Sequence, residues 1–250
     1  MIVRETEHDF VLYQQHDHAF LSGEAASNLK EQLFINDSYV QDVLFAIYEH
    51  DRSWIRLDET PVWNDHIRAP FSFTDYPFLP KLTLYSYGLD ETESRNEYAA
   101  LLCSLYYSSF QPIRDSKQVE AVSFYDQELA RQQRIMKKLN LSEELVKKHF
   151  KLLQICDEIS LYVCMNEEGA SKENEHPWYK DGLKTIVDDQ AIAANWLNTE
   201  TIRLTPFLFK KEFTASIRLK RVPKQLILQL GIALAYSQTP FSEQEVHFVK

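Results

Sequence analysis

The sequence predicts a mainly α domain, a helical bundle with a small β-sheet formed by its N-terminal and C-terminal segments. Apolar residues recur at three- and four-residue spacing through much of residues 18–164, while alternating runs are short and confined to the two ends. Only 5 glycines interrupt the 250 residues. A chain of this length buries roughly 70–75% of its unfolded surface as one domain. We therefore expect a single domain over 1–250, with a helical core from about residue 16 to 165 and an accessory sheet from 1–14 and 200–250.

Residues 2–3 and 10–13 are β-prone and separated by a polar stretch, giving a hairpin or two edge strands. From His18 the positions Leu21, Ala25, Leu29 and Leu33 share one face, which predicts a helix from near Asp17 to just before Asn36 and Asp37. Ser38 and Gln41 form a capping box, and the helix they open carries its apolar face through Val43 and Ile47 into His50 and Asp51. Residues 52–74 are too aromatic for a disordered linker and predict an ordered loop over the mouth of this helix pair.

Pro77 and Pro80 suit a first turn and Gly88 a stop, so residues 78–87 read as a short helix. Ser94 and Glu97 make a second capping box ahead of a central helix that is apolar nearly all round. Residues 117–139 read as a long amphipathic helix with Val119, Val122, Leu129 and Met136 inward. Ser142 caps the next helix, where Leu145, His149, Leu152, Cys156, Ile159 and Val163 line one stripe and Asp157 lies in the adjoining buried one. Residues 166–181 are polar and predict a mobile excursion or insertion. Alternation returns at Ile202, Leu204, residues 213–219 and Val246 to Phe248, while residues 225–236 fit a buried helix or a strand.

A formal net charge of -10 repels phosphate backbones, which argues against nucleic-acid and anionic-membrane binding and leaves a small-molecule substrate. No run reaches the roughly 20 apolar residues of a membrane span and no signal-peptide pattern opens the chain, so a cytoplasmic protein is expected. Cys103, Cys156 and Cys164 read as buried reduced thiols. Neither a P-loop nor a GxGxxG fingerprint is present.

His18, then His50 with Asp51, then Asp157 each stand on an apolar helix face. A buried carboxylate costs several kcal/mol unless it is paired, protonated or metal-bound, so these residues predict one another as partners. Their order resembles the HD metal-dependent phosphohydrolase superfamily, through His18 opening a helix, Phe45-Ala46-Ile47-Tyr48-Glu49-His50-Asp51, and Leu152-Leu153-Gln154-Ile155-Cys156-Asp157-Glu158-Ile159-Ser160. The resemblance implies an HD-domain-like helical bundle and hydrolysis of a phosphoester in a small phosphorylated metabolite or nucleotide by one metal-activated water. Most of the chain also resembles an uncharacterised bacterial family, the domain of unknown function thirty-eight ninety-one. Met1-Ile2-Val3-Arg4, Gln15-His16-Asp17-His18-Ala19, His50-Asp51 with Trp54, and Cys156-Asp157 with Ser160 carry that likeness, which brings no activity.

Two imidazoles and two carboxylates suit Mn²⁺, Fe²⁺, Co²⁺, Ni²⁺ or Zn²⁺ better than Ca²⁺ or Mg²⁺. The ligands would be His18, His50, Asp51 and Asp157, with Asp51 also steering the nucleophilic water. The superfamily's Gly and Lys after the His-Asp pair are here Arg52, Ser53 and Trp54, so a phosphate clamp would fall to Arg52 or Arg56. Tyr106 and Tyr107 stand where binuclear members carry further histidines, which favours one metal or none. His66 is a candidate proton donor or a solvated loop residue, and Asp126 and Gln133 are candidate outer partners of the ligands. His16 and Asp17 are alternative ligands, with Asp17 better read as a helix cap. His149 is expected to pack or hydrogen-bond locally. Two other readings stay open: a structural cluster in which Asp157 only bonds His18 and His50, and a non-catalytic metal-binding or protein-interaction module with a vestigial site.

Overall fold

The computed structural model describes residues 1–34, 37–187 and 189–250. Strands β1 (Ile2–Glu5) and β2 (Asp9–Tyr13) pair antiparallel, from Ile2 opposite Tyr13 to Glu5 opposite Phe10. Helix α1 (Gln15–Asn28) follows at once, then α2 (Val40–Glu49), the short α3 (Ile55–Asp58), and a hairpin of β3 (Trp63–Asn64) with β4 (Ala69–Pro70). The helical body continues with α4 (Phe78–Arg95), α5 (Glu97–Ser109), α6 (Gln111–Arg114), α7 (Val119–Leu139) and α8 (Glu143–Met165). Strands β5 (Ala193–Trp196), β6 (Thr201–Thr205) and β7 (Phe213–Pro223) lead to α9 (Lys224–Leu230), α10 (Ile232–Gln238) and β8 (Ser242–Val249).

The sheet overturns the expected mainly α, HD-like bundle with a small accessory sheet. Strands β1, β2, β7, β8, β6 and β5 bond in that order into one six-stranded sheet, mixed because β6 runs parallel to β8. With helix at 52% of the chain, the fold is mixed α/β. Short runs at the two ends predict strands but not how many join, because pairing such as Leu12 opposite Lys220 is set by tertiary contacts rather than local pattern. Along β7, Ala215, Ile217 and Leu219 are buried while Thr214, Ser216 and Arg218 face outward, the period of two that a half-covered sheet requires. Helix α1 packs against β7, α2 and α8, so one apolar cluster runs from Val11 and Tyr13 through Leu21 to Leu153 and Ile159.

Several elements differ from their expected bounds. Helix α1 stops at Asn28, and positions 35 and 36 of its expected end lie outside the described residues. Gly88 is not a stop but the point where α4 passes closest to Ser53, because an added Cβ there would lie 2.6 Å from the Ser53 Cα. The cap of α5 is Asn96, whose side chain accepts the Ala99 N–H at 2.8 Å, while Ser94 sits within α4. Helix α7 turns Ala121, Phe124, Glu128, Gln132 and Ile135 inward and leaves Val119 80% exposed. Residues 166–181 are tied to the core rather than loose: Tyr162 donates to the buried Glu175 at 2.7 Å, and the Asn166 side chain accepts the His176 N–H at 2.7 Å. Ser142 caps α8 as expected, the three cysteines are buried and free, and residues 225–236 form α9 and most of α10. No helix among the described residues is long and apolar enough to cross a membrane.

Two outcomes follow for stability. Gly88→Ala is expected to cost about 1–3 kcal/mol, as overpacking does, read as a lower urea midpoint. Combining it with Ser53→Ala is not expected to restore that midpoint, because the clash reaches the backbone. His149, whose Nδ1 accepts the Tyr98 hydroxyl at 2.6 Å, is lowered by burial to about 4. Below its unfolded value of about 6.5 the unfolded chain binds the extra proton first, so stability falls as pH drops from about 6.5 toward 4. His149→Asn is expected to lose less of its urea midpoint between pH 7 and pH 4.5 than the parent chain; an equal loss would assign the acid sensitivity elsewhere.

Candidate metal centre

Three helices deliver the polar cluster. His18 lies one turn into α1, and the first N–H of that helix, on Gln15, donates to Asp58 Oδ2 at 2.5 Å. His50 and Asp51 follow the last residue of α2, where the apolar face of that helix carries them inward. Asp157 sits in the middle of α8. His18 and His50 are 0% and 1% exposed, and Asp51 and Asp157 are 2% and 6%. Asp157 Oδ1 is 2.9 Å from His18 Nε2 and 3.3 Å from His50 Nε2, and Asp51 Oδ2 is 3.7 Å from each of the same two nitrogens.

The hydrogen bonds behind these atoms fix their direction. His50 Nδ1–H donates to the Ile47 carbonyl at 2.7 Å, so in the neutral ring Nε2 carries the free lone pair, and this nitrogen has no hydrogen-bond partner. His18 Nδ1 is 2.7 Å from Ser160 Oγ, which also lies 3.0 Å from the Asp157 carbonyl. Ser22, one turn along α1, meets Ser160 at 2.6 Å. Tyr106 donates to Asp157 Oδ2 at 3.0 Å and Tyr107 to Asp51 Oδ1 at 3.4 Å, which turns the other oxygen of each carboxylate toward the imidazoles.

With both Nε2 atoms unprotonated, two nitrogen lone pairs face carboxylate oxygens, an arrangement that positive charge between them stabilises. Two imidazolium protons meet that need, and so does one divalent ion. Neighbours in an octahedral or tetrahedral shell with bonds of about 2.1 Å lie about 3.0–3.4 Å apart, close to the 2.9 and 3.3 Å from Asp157 Oδ1 to the two imidazoles and shorter than the 3.7 Å from Asp51 Oδ2. His18, His50 and Asp157 thus form a buried group suited to holding a metal ion; Asp51, expected as a fourth ligand, is not one of that group, and its Oδ2, which has no hydrogen-bond partner, lies 3.7 Å from each imidazole Nε2. Burial disfavours a charged His50, but Asp51 and Asp157 outweigh it and raise its pKa to about 9. Burial likewise opposes the Asp157 carboxylate, yet the adjacent His18 and His50 imidazoles hold it well below its usual range, while burial pushes Asp51 up.

Asp51 and Asp157 open onto a cavity of about 500 Å³, a size common for small-molecule sites. Of residues 52–74, Trp54, Phe73 and Thr74 line it, and Trp178, Tyr179 and Lys184 close the other side. Arg52 is not on this wall: it binds Glu49 at 2.8 Å and Glu91 at 2.9 Å and lines a separate cleft together with Arg56. His66 is exposed in the hairpin turn, and the exposed Asp126 and Gln133 lie on the solvent face of α7. Asp17 pairs with Arg218 at 2.7 Å and caps nothing, and His16 does not join the cluster. Sequence reasoning missed Lys81 and Lys184, for which no local signal exists. It also missed the roles of Ser22 and Ser160, which helical spacing from His18 and Asp157 does announce.

Protein purified without chelator, or reconstituted after stripping, is expected to carry about one Mn²⁺, Fe²⁺, Co²⁺, Ni²⁺ or Zn²⁺ per chain by elemental analysis. His50→Ala and Asp157→Ala are expected to abolish it. Because the ion displaces the proton that His50 holds up to about pH 9, affinity is expected to rise by up to about tenfold per pH unit from 7 to 9. Folded protein that takes up no ion at any pH would leave the protons as the cluster's only counter-charge.

No curated protein and no solved structure matches the chain. The family described as "Protein of unknown function (DUF3891)" matches residues 1–224, and with nearly the whole chain covered, this protein belongs to that family.

Proposed function

We propose that the chain is a metal-dependent hydrolase of phosphoester bonds in small phosphorylated compounds. The observation that carries this reading is that Asp157 of the metal-suited group, Asp51 and two lysines line one cavity. These lysines are Lys81 and Lys184. Among the described residues neither is ion-paired: the Lys81 ammonium donates to the Phe73 carbonyl at 2.9 Å, and the Lys184 ammonium sits 4.7 Å from the centre of the Trp178 ring. Asp75 offsets part of the burial that lowers the Lys81 pKa, and two lysines lining one cavity suit a phosphoryl group. The order His, His-Asp, Asp resembles that of the HD phosphohydrolases and supports the same chemistry, although the six-stranded sheet is no part of that likeness.

A bound ion would supply Lewis-acid chemistry, lowering the pKa of water and neutralising charge on a phosphoryl oxygen. The chain's own groups do the rest. Asp51, with Oδ1 held by Tyr107 and Oδ2 free, is placed to accept a proton from the attacking water. The water oxygen bonds to phosphorus, the bond from phosphorus to the ester oxygen breaks, and the proton taken by Asp51 ends on the departing oxygen. Lys81 and Lys184 hold the phosphoryl oxygens, and Tyr106 keeps Asp157 aimed at the imidazoles.

Reconstituted protein is expected to turn over at least one member of a phosphoester panel. Asp51→Asn is expected to lower kcat by about 10²–10⁴-fold with the fold kept, and Lys81→Ala to raise KM by about tenfold. Protein carrying one ion per chain that hydrolyses no phosphoester would defeat the proposal and favour a non-catalytic metal-binding module, the reading to which the engagement of Arg52 by Glu49 and Glu91 lends weight.

A further inference from the structure

The wall of the cavity is made chiefly of rings, among them Trp54, Phe73, Phe78, Tyr106, Trp178 and Tyr179. Phe73 and Trp178 meet edge to face with centroids 6.2 Å apart, joining the segment before α4 to the segment after α8 across the cavity. Trp178 is 38% exposed, so part of its ring is open to a guest. Polar side chains other than the ligands and lysines are few and mostly occupied. Both oxygens of Glu158 are taken by Thr185, at 3.0 Å from its N–H and 2.8 Å from its hydroxyl. Gln15 is the buried exception: it is 3% exposed, lines the cavity, and its Oε1 has no hydrogen-bond partner, whereas Thr74 and Gln111 on the same lining are exposed.

This lining discriminates between classes of phosphoester. A sugar or glycerol body brings several hydroxyls, and each hydroxyl buried without a partner costs about 1–3 kcal/mol. An aromatic or aliphatic body gains roughly 25 cal/mol per Å² of surface buried, with ring-on-ring contact in addition. The one buried free amide satisfies one polar group of a ligand, not a row of them, and Thr74 and Gln111 are exposed and already solvated.

We infer that the substrate is a phosphoester of an aromatic or largely apolar alcohol, poor in hydroxyl groups. Its phosphoryl lies at Lys81 and Lys184 beside the carboxylates, its body lies against Phe73, Trp178 and Tyr179, and Gln15 makes the one buried polar contact beyond the phosphoryl group. The inference rests on the hydrolase reading above and narrows its substrate class.

The test compares 2-phenylethyl phosphate with glycerol 3-phosphate on the metal-reconstituted full chain. Both are primary alkyl esters, so a difference reports on the body rather than on the leaving oxygen. The expected result is a kcat/KM at least about tenfold higher for 2-phenylethyl phosphate, carried by KM. Trp178→Ala is expected to remove most of that preference and Trp178→Phe to keep it; Trp178 is partly exposed, so these variants spare the core. Binding of 3-phenylpropylphosphonate, which cannot be hydrolysed, is measured in parallel by calorimetry. An equal or higher kcat/KM for glycerol 3-phosphate would overturn the inference and leave the hydrolase reading intact. Saturable phosphonate binding, weakened in Trp178→Ala, with no turnover of either ester would overturn the hydrolase reading and sustain the apolar-ligand assignment. Neither turnover nor phosphonate binding would overturn both.

Discussion

A buried carboxylate needs partners, and the centre of this protein is organised by that need at Asp157. Left alone, its charge would cost several kcal/mol. His18 from α1, His50 from the end of α2 and Tyr106 from α5 all converge on it, so one side chain on α8 ties together three other helices. Truncating Asp157 would leave two buried imidazoles and a tyrosine hydroxyl without their common partner. The geometry of the site and the packing of the helices are therefore a single problem.

Close approach of the helices solves the packing side of it. Ser22 and Ser160 face each other at 2.6 Å where α1 meets α8, a contact that bulkier residues would prevent. Gly23 lies directly under the Tyr48 ring, leaving no space for a Cβ, and lets α1 and α2 come together. The sheet contributes from the other side: β2 is fixed against β7 and runs straight into α1, so strand pairing sets the position from which His18 is presented. The tyrosines complete the arrangement, with Tyr107 stacked on Tyr85 at 4.1 Å and Tyr106 edge-on to His50 at 5.1 Å. Hydrogen bonds from Ile47, Ser160, Tyr106 and Tyr107 hold the rings and carboxylates in place.

The parts of this site legible in the sequence are those governed by a helix's own period. His18, His50, Asp51 and Asp157 announce themselves because each falls where an apolar residue belongs. Ser22 and Ser160 carry the same kind of signal, at one turn from a ligand. Arg52 shows where such reasoning ends. It adjoins Asp51 in sequence, but the turn that follows α2 directs it to Glu49 and Glu91, away from the cavity. Lys81 and Lys184 are indistinguishable from solvated lysines until α4 and the segment after α8 are brought to the same wall.

The sequence by itself determined the helices of the core, the strand runs at the two ends, and which four ionisable side chains turn inward. Each of these follows from local periodicity, since side-chain direction repeats every 3.6 residues in a helix and every two in a strand. Tertiary structure alone decided that the strands join into a six-stranded sheet, that residues 166–181 are anchored rather than loose, and that aromatic rings and two lysines line the cavity. Those features depend on contacts between residues far apart in the chain, and no local pattern encodes which distant partner a strand edge or a surface lysine will meet.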